Sequence, residues 1–236
     1  MKSLFSFLLC GMFILSFGPL LAQSEIGNGN VQEENRKLSG FTAIEVTDGI
    51  DVVLLQAESE KVVVKADENL LDNIETVVSG NTLKISAKGS IRRAKAFDVY
   101  VTVKNLERLE ASSGSDVATK ETVNLDEVVI RMSSGSDLDM SLNARQLTCK
   151  LSSGSDANLS GKVEILMAEA HGGSDISAKK LATKKCTLKA HGGSDASINV
   201  TGELDIEAHG ASDIYYTGNP TVLSKKASGG SDIHGN

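Results

Sequence analysis

Apolar and polar residues follow one another through the second half of the chain in a pattern that restarts about every 19 residues. Two positions of each repeat are apolar, the one five residues before a recurrent aspartate and the one directly after it, and the position seven residues before it is apolar in six of the seven repeats. Side chains of a β-strand point alternately to its two faces, so this spacing predicts strands with one buried face. Because the pattern returns at a nearly constant period, it predicts a solenoid whose stacked coils share one apolar interior.

A polar phrase ending in Ser-Asp marks the turn of each repeat. It is Ser-Ser-Gly-Ser-Asp in the first three copies and His-Gly-Gly-Ser-Asp in the next two. Glycine tolerates a sharp bend, and serine and aspartate side chains accept hydrogen bonds from N–H groups exposed there. Successive aspartates are 21, 19, 19, 20, 18 and 19 residues apart. These seven residues, called here the Asp column, are Asp116, Asp137, Asp156, Asp175, Asp195, Asp213 and Asp232.

These features predict an all-β fold, a parallel β-helix (solenoid) with about 19 residues per coil. Strands of neighbouring coils should pair in parallel about 4.8 Å apart, so seven coils would form a rod roughly 30 Å long. Residues 67–74 depart from the strand pattern, because Asp67 is a helix-capping residue type and leucines follow at helical spacing. They predict one short helix in the N-terminal part of the chain.

The chain divides into four predicted segments. Residues 1–22 have the charged start, apolar stretch and small-residue cleavage site of a secretory signal peptide. Residues 23–39 have little apolar content, which predicts a flexible leader. Residues 40–110 form an N-terminal β region continuous with the solenoid, and residues 111–236 form the Gly-Ser-Asp repeat β-helix. No later apolar run approaches the roughly 20 residues that a membrane span needs.

The charge balance narrows the classes of partner. The formal net charge is -7 at pH 7. This acidic balance argues against binding to nucleic acid, which needs clustered Lys and Arg, and against electrostatic docking on an anionic membrane.

Two cysteines, Cys149 and Cys186, remain after signal-peptide cleavage. Their positions in the repeat place them two coil spacings apart, roughly 10 Å. This exceeds the limit of about 7 Å for a disulfide bridge, so two buried free thiols are expected.

Stacking would set the carboxylates of the Asp column about 4.8 Å apart. Repulsion between neighbours is then about 1 kcal/mol in water, or about 3.5 kcal/mol at an effective dielectric constant of about 20. Either local N–H and Ser O–H groups donate to each carboxylate, which makes the column a structural corner, or cations such as Ca²⁺ lie along it. We favour the structural corner and expect no cofactor, with Ca²⁺ as the alternative.

Three histidines occupy the same position in three consecutive repeats: His171, His191 and His209. Stacked coils would arrange them as a surface ladder beside the Asp column. A transition-metal site needs imidazole nitrogens that converge within about 2.1 Å of one ion, which a ladder makes difficult. We therefore expect a stacked surface column and no metal, with metal binding as the alternative.

Several stretches together resemble one known family. They are the signal peptide, the opening Phe41–Leu54 with Asp48-Gly49-Ile50-Asp51, the segment Asn69-Leu70-Leu71, the segment from Gly80 to Ile85, and the Gly-Ser-Asp corners. They resemble the head GIN domain family, described as auto-transporter adhesins and common in Bacteroidetes. The resemblance covers nearly all of the chain from about Phe41. It implies a right-handed parallel β-helix exported to the cell envelope, and it brings no catalytic residues.

The function expected from these features is non-enzymatic. The short, regular repeats hold no inserted loop that could form a catalytic cleft, and the recurrent Ser and His share a coil position rather than a nucleophile–base arrangement. We expect an adhesin-like or scaffolding protein that binds a surface ligand, a glycan or a protein, through the polar face of the rod. The alternatives are a purely structural oligomeric envelope component and a carbohydrate-active β-helix enzyme.

Two further expectations concern partners and location. Tyr215 should be the exposed aromatic residue of the repeats, and Tyr216 should belong to the core. The C-terminal coil would expose unpaired strand edges, which predicts a homo-oligomer formed through it. The protein should be exported to the periplasm, the outer-membrane surface or the medium.

Overall fold

The computed structural model describes residues 24–235. It shows a nearly all-β solenoid of stacked parallel coils about 19 residues apart, so the predicted fold class is confirmed. The predicted signal peptide, residues 1–22, lies outside the described residues.

Each central coil is a long strand that ends at a Gly-Ser-Asp corner, and all but the first of these strands begin directly after the preceding corner. They are β12 (Val123–Ser133), β13 (Leu138–Ser152), β14 (Ala157–His171), β15 (Ile176–His191) and β16 (Ala196–Gly210). Shorter strands form the coils on either side: β10 (Arg108–Ala111), β11 (Val117–Thr119), β17 (Asp213–Thr217), β18 (Thr221–Gly229) and β19 (Asp232–Gly235). Each central strand pairs in parallel with the strand of the next coil.

The register places residues of equal position in the repeat side by side. Ile130 pairs with Cys149, and Cys149 pairs with Ala168. All three side chains are buried, as are Leu188 and Ile206 at the same position of the next two coils. The apolar positions of the sequence pattern therefore fill one continuous interior.

The residues midway between two Gly-Ser-Asp corners, such as Asn143-Ala144-Arg145, predict a looser second corner in each coil, and the structure differs from this prediction. The strand continues through this second bend, since Asn143 pairs with Lys162 and Ala144 pairs with Val163 across neighbouring coils. Gly161 makes the close stacking possible: its φ is +111°, and a Cβ there would overlap the carbonyl oxygen of Leu142 in the neighbouring coil.

The N-terminal coils are not stacked in chain order. One coil contains β3 (Ala43–Val46) and β4 (Asp51–Gln56), which pair in parallel with β10 and β11. The coil beyond it contains β7 (Thr82–Ala87) and β9 (Phe97–Val103), which pair with β3 and β4. The chain thus runs from β4 to the far end of the rod and returns to β10.

Antiparallel strands close this end of the solenoid. They are β5 (Lys61–Asp67) beside β9, β6 (Ile74–Ser79) beside β7, and β2 (Val31–Arg36) beside β5. A separate parallel pair joins β1 (Glu25–Ile26) to β8 (Ile91–Arg93). The N-terminal end of the rod is therefore covered by paired strands.

The segment predicted to be a flexible leader, residues 23–39, contains β1 and β2. Main-chain pairing holds β2 against β5 from Val31 to Arg36, and the Arg36 side chain donates a hydrogen bond to the carbonyl oxygen of Leu71. The polar composition of this segment gave no sign of order, because its stability comes from backbone hydrogen bonds to a distant strand rather than from apolar burial.

The short helix predicted at residues 67–74 is present as a 3-10 helix, η1 (Glu68–Asn73), whose Leu70 side chain is buried. Asp67 precedes it but makes no side-chain capping bond. Its buried carboxylate instead accepts the backbone N–H of Lys95 at 2.6 Å. The capping residue type therefore identified the position of the helix, although the side chain serves a different contact.

Both cysteines are free and buried, as expected. Burial raises the pKa of each thiol to about 12, so neither is a reactive thiolate at neutral pH.

No helix among residues 24–235 has the length and apolar character that crossing a bilayer requires.

Candidate functional site on the polar corner face

The chain turns at five of the seven Gly-Ser-Asp corners by placing two successive residues in the left-handed region. Ser153 and Gly154 have φ values of 59° and 71°, and Gly172 and Gly173 have values of 67° and 76°. Glycine adopts this conformation without a steric penalty, whereas a residue with a Cβ does not. In the first three corners the first of the two left-handed residues is a serine, so these corners carry strain that the Gly-Gly corners avoid.

The serine before each aspartate is buried and connects neighbouring corners. The backbone N–H of Ser155 donates to Ser174 Oγ in the next corner at 3.1 Å. The backbone N–H groups of Ser194 and Ser212 donate in the same way, each to the serine Oγ of the corner that follows it, at 3.2 Å. A hydroxyl is small enough to fit inside the turn and satisfies an N–H group that has no strand partner.

The aspartates make the corresponding bond in the opposite direction along the rod. Oδ1 of each of the first six aspartates in the Asp column accepts the backbone N–H of the aspartate in the next corner, at distances from 2.9 to 3.3 Å. These six carboxylates thus receive a local donor, which is the arrangement expected of a structural corner. The column lies in register on the surface of the rod.

The Asp column extends further than the sequence analysis recognised. Val52 pairs with Val117, which places Asp51 beside Asp116, and Asp98 pairs with Asp51 in the coil beyond. Asp51 carried a sequence signal, since it follows Gly49 at the Gly-x-Asp spacing of the later corners. Asp98 carried none, because it lies in a strand that no glycine corner precedes.

The environment of the two added carboxylates disfavours their charged forms. Partial burial is the main cause that raises the pKa of Asp51, and repulsion from Asp116 and Asp98 adds to it, while a backbone hydrogen bond from Asp116 opposes the rise. Partial burial also raises the pKa of Asp98, against the attraction of Lys65. The charged forms of these two carboxylates are therefore destabilised at the N-terminal end of the column.

The three predicted histidines form a stack. The ring centroids of His171 and His191 are 4.8 Å apart with an interplanar angle of 2°, and those of His191 and His209 are 5.0 Å apart at 13°. His209 also contacts the side chains of Ser228 and Glu207. Stacked rings present their nitrogens side by side, which does not make them converge on one ion.

Protonation of the stack is disfavoured at its centre. Burial is the main cause that lowers the pKa of His191, and the neighbouring His171 and His209 lower it further. The His209 hydrogen bond lowers the pKa of Glu207 at the end of the stack.

A shallow groove, called here the corner groove, begins at His171, the first residue of this stack, and continues over the preceding coils. Its volume is about 320 Å³. One wall continues the position of the histidines through half-buried serines: Ser112, Ser133 and Ser152, followed by His171. The other wall carries charged side chains in two ion pairs, Arg131 with Glu110 at 2.8 Å and Lys150 with Glu169 at 2.9 Å. The corner groove therefore offers hydroxyls, an imidazole and charges of both signs on a rigid surface.

Tyr215 is 45% exposed, as expected, and Tyr216 packs against the core. The ring of Tyr215 stacks on His234 of the next coil with centroids 5.0 Å apart. This pair was not predicted, although both residues lie two positions after an aspartate of the Asp column.

Among residues 24–235, no group of three or more His, Cys, Asp and Glu side chains has an arrangement that could hold a metal ion. The aspartates and histidines lie in columns along the rod, so neighbouring side chains are arranged in a line.

The fold and the repeated corners identify a class, the parallel β-solenoids built on Gly-Ser-Asp turns. Residues 40–220 match the model of the family described as "Putative auto-transporter adhesin, head GIN domain". The chain belongs to this family, which confirms the resemblance noted from its sequence.

Solved structures of similar fold come from related bacteria. One from Bacteroides fragilis, described as a "putative adhesin", has a TM-score of 0.84 at 20% identity, covering 90% of this chain and 100% of its own. Another "putative adhesin", from Parabacteroides merdae, has a TM-score of 0.72 at 22% identity and covers 91% and 100%. A "putative lipid binding protein" from Parabacteroides distasonis has 0.76 at 20% identity, with the same coverage. At these identities the likeness concerns the fold.

None of the functionally curated proteins compared with this sequence matches it significantly.

Proposed function

We propose that this protein is a non-enzymatic, exported, adhesin-like protein that binds a surface ligand through its polar corner face. The observation that carries the proposal is the corner groove, in which half-buried serines, His171 and paired charges repeat at the coil spacing. Repetition of this kind suits a ligand that is itself extended, whether a glycan chain or a protein segment.

Rigidity of the corner face supports this function. Every central strand pairs with a strand on each side, and the Ser and Asp hydrogen bonds tie successive corners together. A preformed surface loses little conformational entropy when a ligand binds, so modest contacts suffice for useful affinity. The family to which the chain belongs, described as adhesins, agrees with binding rather than with catalysis.

The arrangement of the chemical groups also favours binding. The imidazoles of the histidine stack contact each other, and the carboxylates of the Asp column accept backbone N–H groups. A glycosidase requires an acid and a base poised on two sides of one bond. We therefore propose that incubation with polysaccharides releases no reducing or unsaturated sugar ends, and such release would favour the alternative of a carbohydrate-active enzyme.

The binding proposal is tested by screening the purified mature protein on a glycan array and on intact bacterial and host cells. Replacing Ser133 and Ser152 by Gln would fill the corner groove without changing charge, and binding should fall at least tenfold. The matched control replaces Ser177 and Ser197 by Gln on the strands after the corner, where binding should stay within twofold. Equal binding by both double variants would contradict the proposed face.

A structural role in an oligomer is the second candidate, and the C-terminal coil favours it. Among residues 24–235, β18 pairs only with β16, and β19 pairs only with β17. Leu223 on β18 is 65% exposed and Val222 is 37% exposed. An open strand edge with apolar side chains is a template for pairing with another chain, so we propose self-association through this coil.

We place the protein outside the cytoplasm, at the cell envelope or beyond it. The signal-peptide pattern of residues 1–22 and the adhesin family support this location. Protease treatment of intact cells distinguishes surface display, in which the protein is degraded, from a periplasmic position, in which it is protected.

A further inference from the structure

A second groove, called here the bend groove, runs along the rod at the second bend of the coils. Its lining extends from Thr122 to Thr201 and so crosses five successive coils. At about 4.8 Å per coil this is a length of roughly 19 Å. The bend groove encloses about 960 Å³, near the upper end of the range of about 300–1,000 Å³ for ligand sites. Its shape suits an extended ligand that lies along the rod axis.

The floor and one wall of the bend groove differ in polarity. Leu125 and Ala144 are each 9% exposed and Val163 is 3% exposed, so the floor is apolar and made of small or medium side chains. Along one wall, Asn143 Nδ2 donates to Asn124 Oδ1 at 3.0 Å. An apolar floor suits the C–H faces of sugar rings, and side-chain amides suit their hydroxyl groups.

Most of the backbone of this region is already paired between neighbouring coils. Asn124 pairs with Asn143, and Asn143 pairs with Lys162. A peptide that binds by adding a strand needs free main-chain groups at a sheet edge, which the bend groove does not provide. Recognition must therefore come from side chains, which favours a ligand rich in hydroxyls and charged substituents.

The lining of the bend groove carries more positive than negative side chains, unlike the chain as a whole. Its lining contains three cations, Arg145, Lys162 and Lys184, and one anion, Glu164, whereas the whole chain has a net charge of -7. Arg145 pairs with Asp126 and Glu127, and Lys184 pairs with Glu164. Lys162 takes part in none of the ion pairs found among residues 24–235. An unpaired ammonium group above an apolar floor is complementary to an anion.

We propose that the bend groove binds an acidic polysaccharide, with Lys162 contacting its carboxylate or sulfate groups. Sugar residues of an extended chain repeat at a length close to the coil spacing, so successive sugars meet successive coils. The amides of Asn124 and Asn143 bind hydroxyls, and the apolar floor packs against the rings. This inference concerns a different surface from the corner groove, so either site can fail without the other.

The test uses the mature protein and a fluorescent oligogalacturonate, followed by fluorescence anisotropy. The same oligosaccharide with its carboxylates methyl-esterified provides a neutral ligand of equal shape. Binding of the acidic form should be at least tenfold tighter than that of the ester, and it should weaken as salt is added. Lys162→Glu should raise the dissociation constant at least tenfold, while the equal charge change Lys61→Glu on β5 should leave it within twofold.

A second variant tests the shape of the groove without altering its charge. Ala182 is an exposed lining residue, so Ala182→Phe should obstruct the groove and weaken binding at least fivefold. Ala118→Phe, at an exposed position outside the bend groove, is the control.

Three results would overturn the inference. They are equal affinity for the acid and its ester, equal affinity for poly-glutamate, which would assign the groove to acidic peptides, and absence of binding to oligogalacturonate, heparin and chondroitin sulfate alike. Variants of the corner groove (Ser133→Gln with Ser152→Gln) should leave oligogalacturonate binding unchanged, which separates this test from that of the proposed function.

Discussion

One hydrogen bond to the serine and one to the aspartate of each central corner explain why these two residues recur in every repeat. Serine Oγ accepts an N–H from one neighbouring corner and aspartate Oδ1 accepts an N–H from the other. Two backbone donors that no strand can satisfy are thereby paired, at a net value of about 1 kcal/mol each. Both bonds require the neighbouring coil at one spacing only, so the same two side chains also fix the stacking distance.

Backbone strain at the first corner position predicts a stabilising substitution. Ser153 has a φ of 59°, and the corresponding residue of the next corner is Gly172. Ser153→Gly should raise the free energy of unfolding by roughly 0.5–1 kcal/mol, because glycine removes a left-handed penalty of about 1–2 kcal/mol and adds an entropic cost of about 0.5–1 kcal/mol. Urea denaturation measures the difference. Ser152→Gly, in the adjoining strand, is the control and should destabilise; the opposite order would contradict the strain.

Charge at the N-terminal end of the Asp column predicts a pH-dependent effect. Partial burial and neighbouring carboxylates raise the pKa of Asp51. The cost of its charge is thus fully present at neutral pH and is relieved as the pH falls through the raised pKa. Asp51→Asn keeps an oxygen that can accept the Asp116 N–H but removes the charge. It should stabilise the protein at pH 7, by a gain that solvent screening keeps small because the side chain remains partly exposed, and the gain should shrink in acid. Thermal unfolding at pH 7 and pH 4 tests this, and a gain that grows in acid would refute it.

Whole strands show how far the sequence could predict the structure. The period of the aspartates and the apolar positions predicted the parallel stacking, because each coil repeats the same buried face. The pairing of β2 with β5 could not be predicted, since a polar strand held by backbone hydrogen bonds has no apolar signature. The bend groove was also invisible, because it arises from the depth of a bend that the predicted looser corner left undefined.

Close stacking at the second bend predicts unequal costs for two glycine substitutions. A Cβ on Gly161 would overlap the Leu142 carbonyl of the adjacent coil, whereas a Cβ on Gly173 would meet open space. Gly161→Ala should cost about 3 kcal/mol or more, because backbone of two coils must separate. Gly173→Ala, with a φ of 76°, should cost only about 1–2 kcal/mol. Chemical denaturation of both variants gives the comparison, and equal losses would argue against the close approach.

The histidine stack predicts loss of stability in mild acid. The lowered pKa of His191 means that the folded state holds its proton less readily than the unfolded chain. Stability is therefore lost as the pH falls below the ordinary histidine pKa toward the lowered value. His191→Ser introduces serine, the residue type found at the same repeat position on either side of the stack, at Ser152 and Ser228. The variant should lose less melting temperature than the wild type between pH 7.5 and pH 5.5, and an identical loss would contradict the coupling within the stack.

On the scale of the whole molecule, the two ends of the rod differ. Antiparallel strands cover the N-terminal end, and β2 places Glu33 and Glu34 on the outermost strand there. Charged residues on an edge strand discourage pairing with other chains. The C-terminal coil instead exposes Leu223 at an edge that no described strand covers. Association between two C-terminal ends is therefore favoured over a head-to-tail filament.

This difference predicts a dimer that one substitution weakens. Light scattering coupled to size-exclusion chromatography should show the mature protein approaching twice its monomer mass as concentration rises. Leu223→Lys should shift the equilibrium to monomer, because it places a charge at the open edge. Met167→Lys, at an exposed position on the doubly paired strand β14, should have no such effect. A strict monomer at high concentration, or open-ended polymers, would contradict the proposal.

The central claim is that residues one repeat apart lie side by side in adjacent coils. Ser177 and Ser197 are register partners on the surface of β15 and β16, and parallel neighbours at about 4.8 Å lie within the Cα separation of about 4.4–6.8 Å that a disulfide needs. Replacing both by Cys and oxidising the protein should give a nearly complete intramolecular bridge, seen as a mass loss of about two protons, and a higher melting temperature. Failure to form that bridge, while a pair shifted by several residues along one strand cross-links equally well, would show that the coils are not stacked in this register.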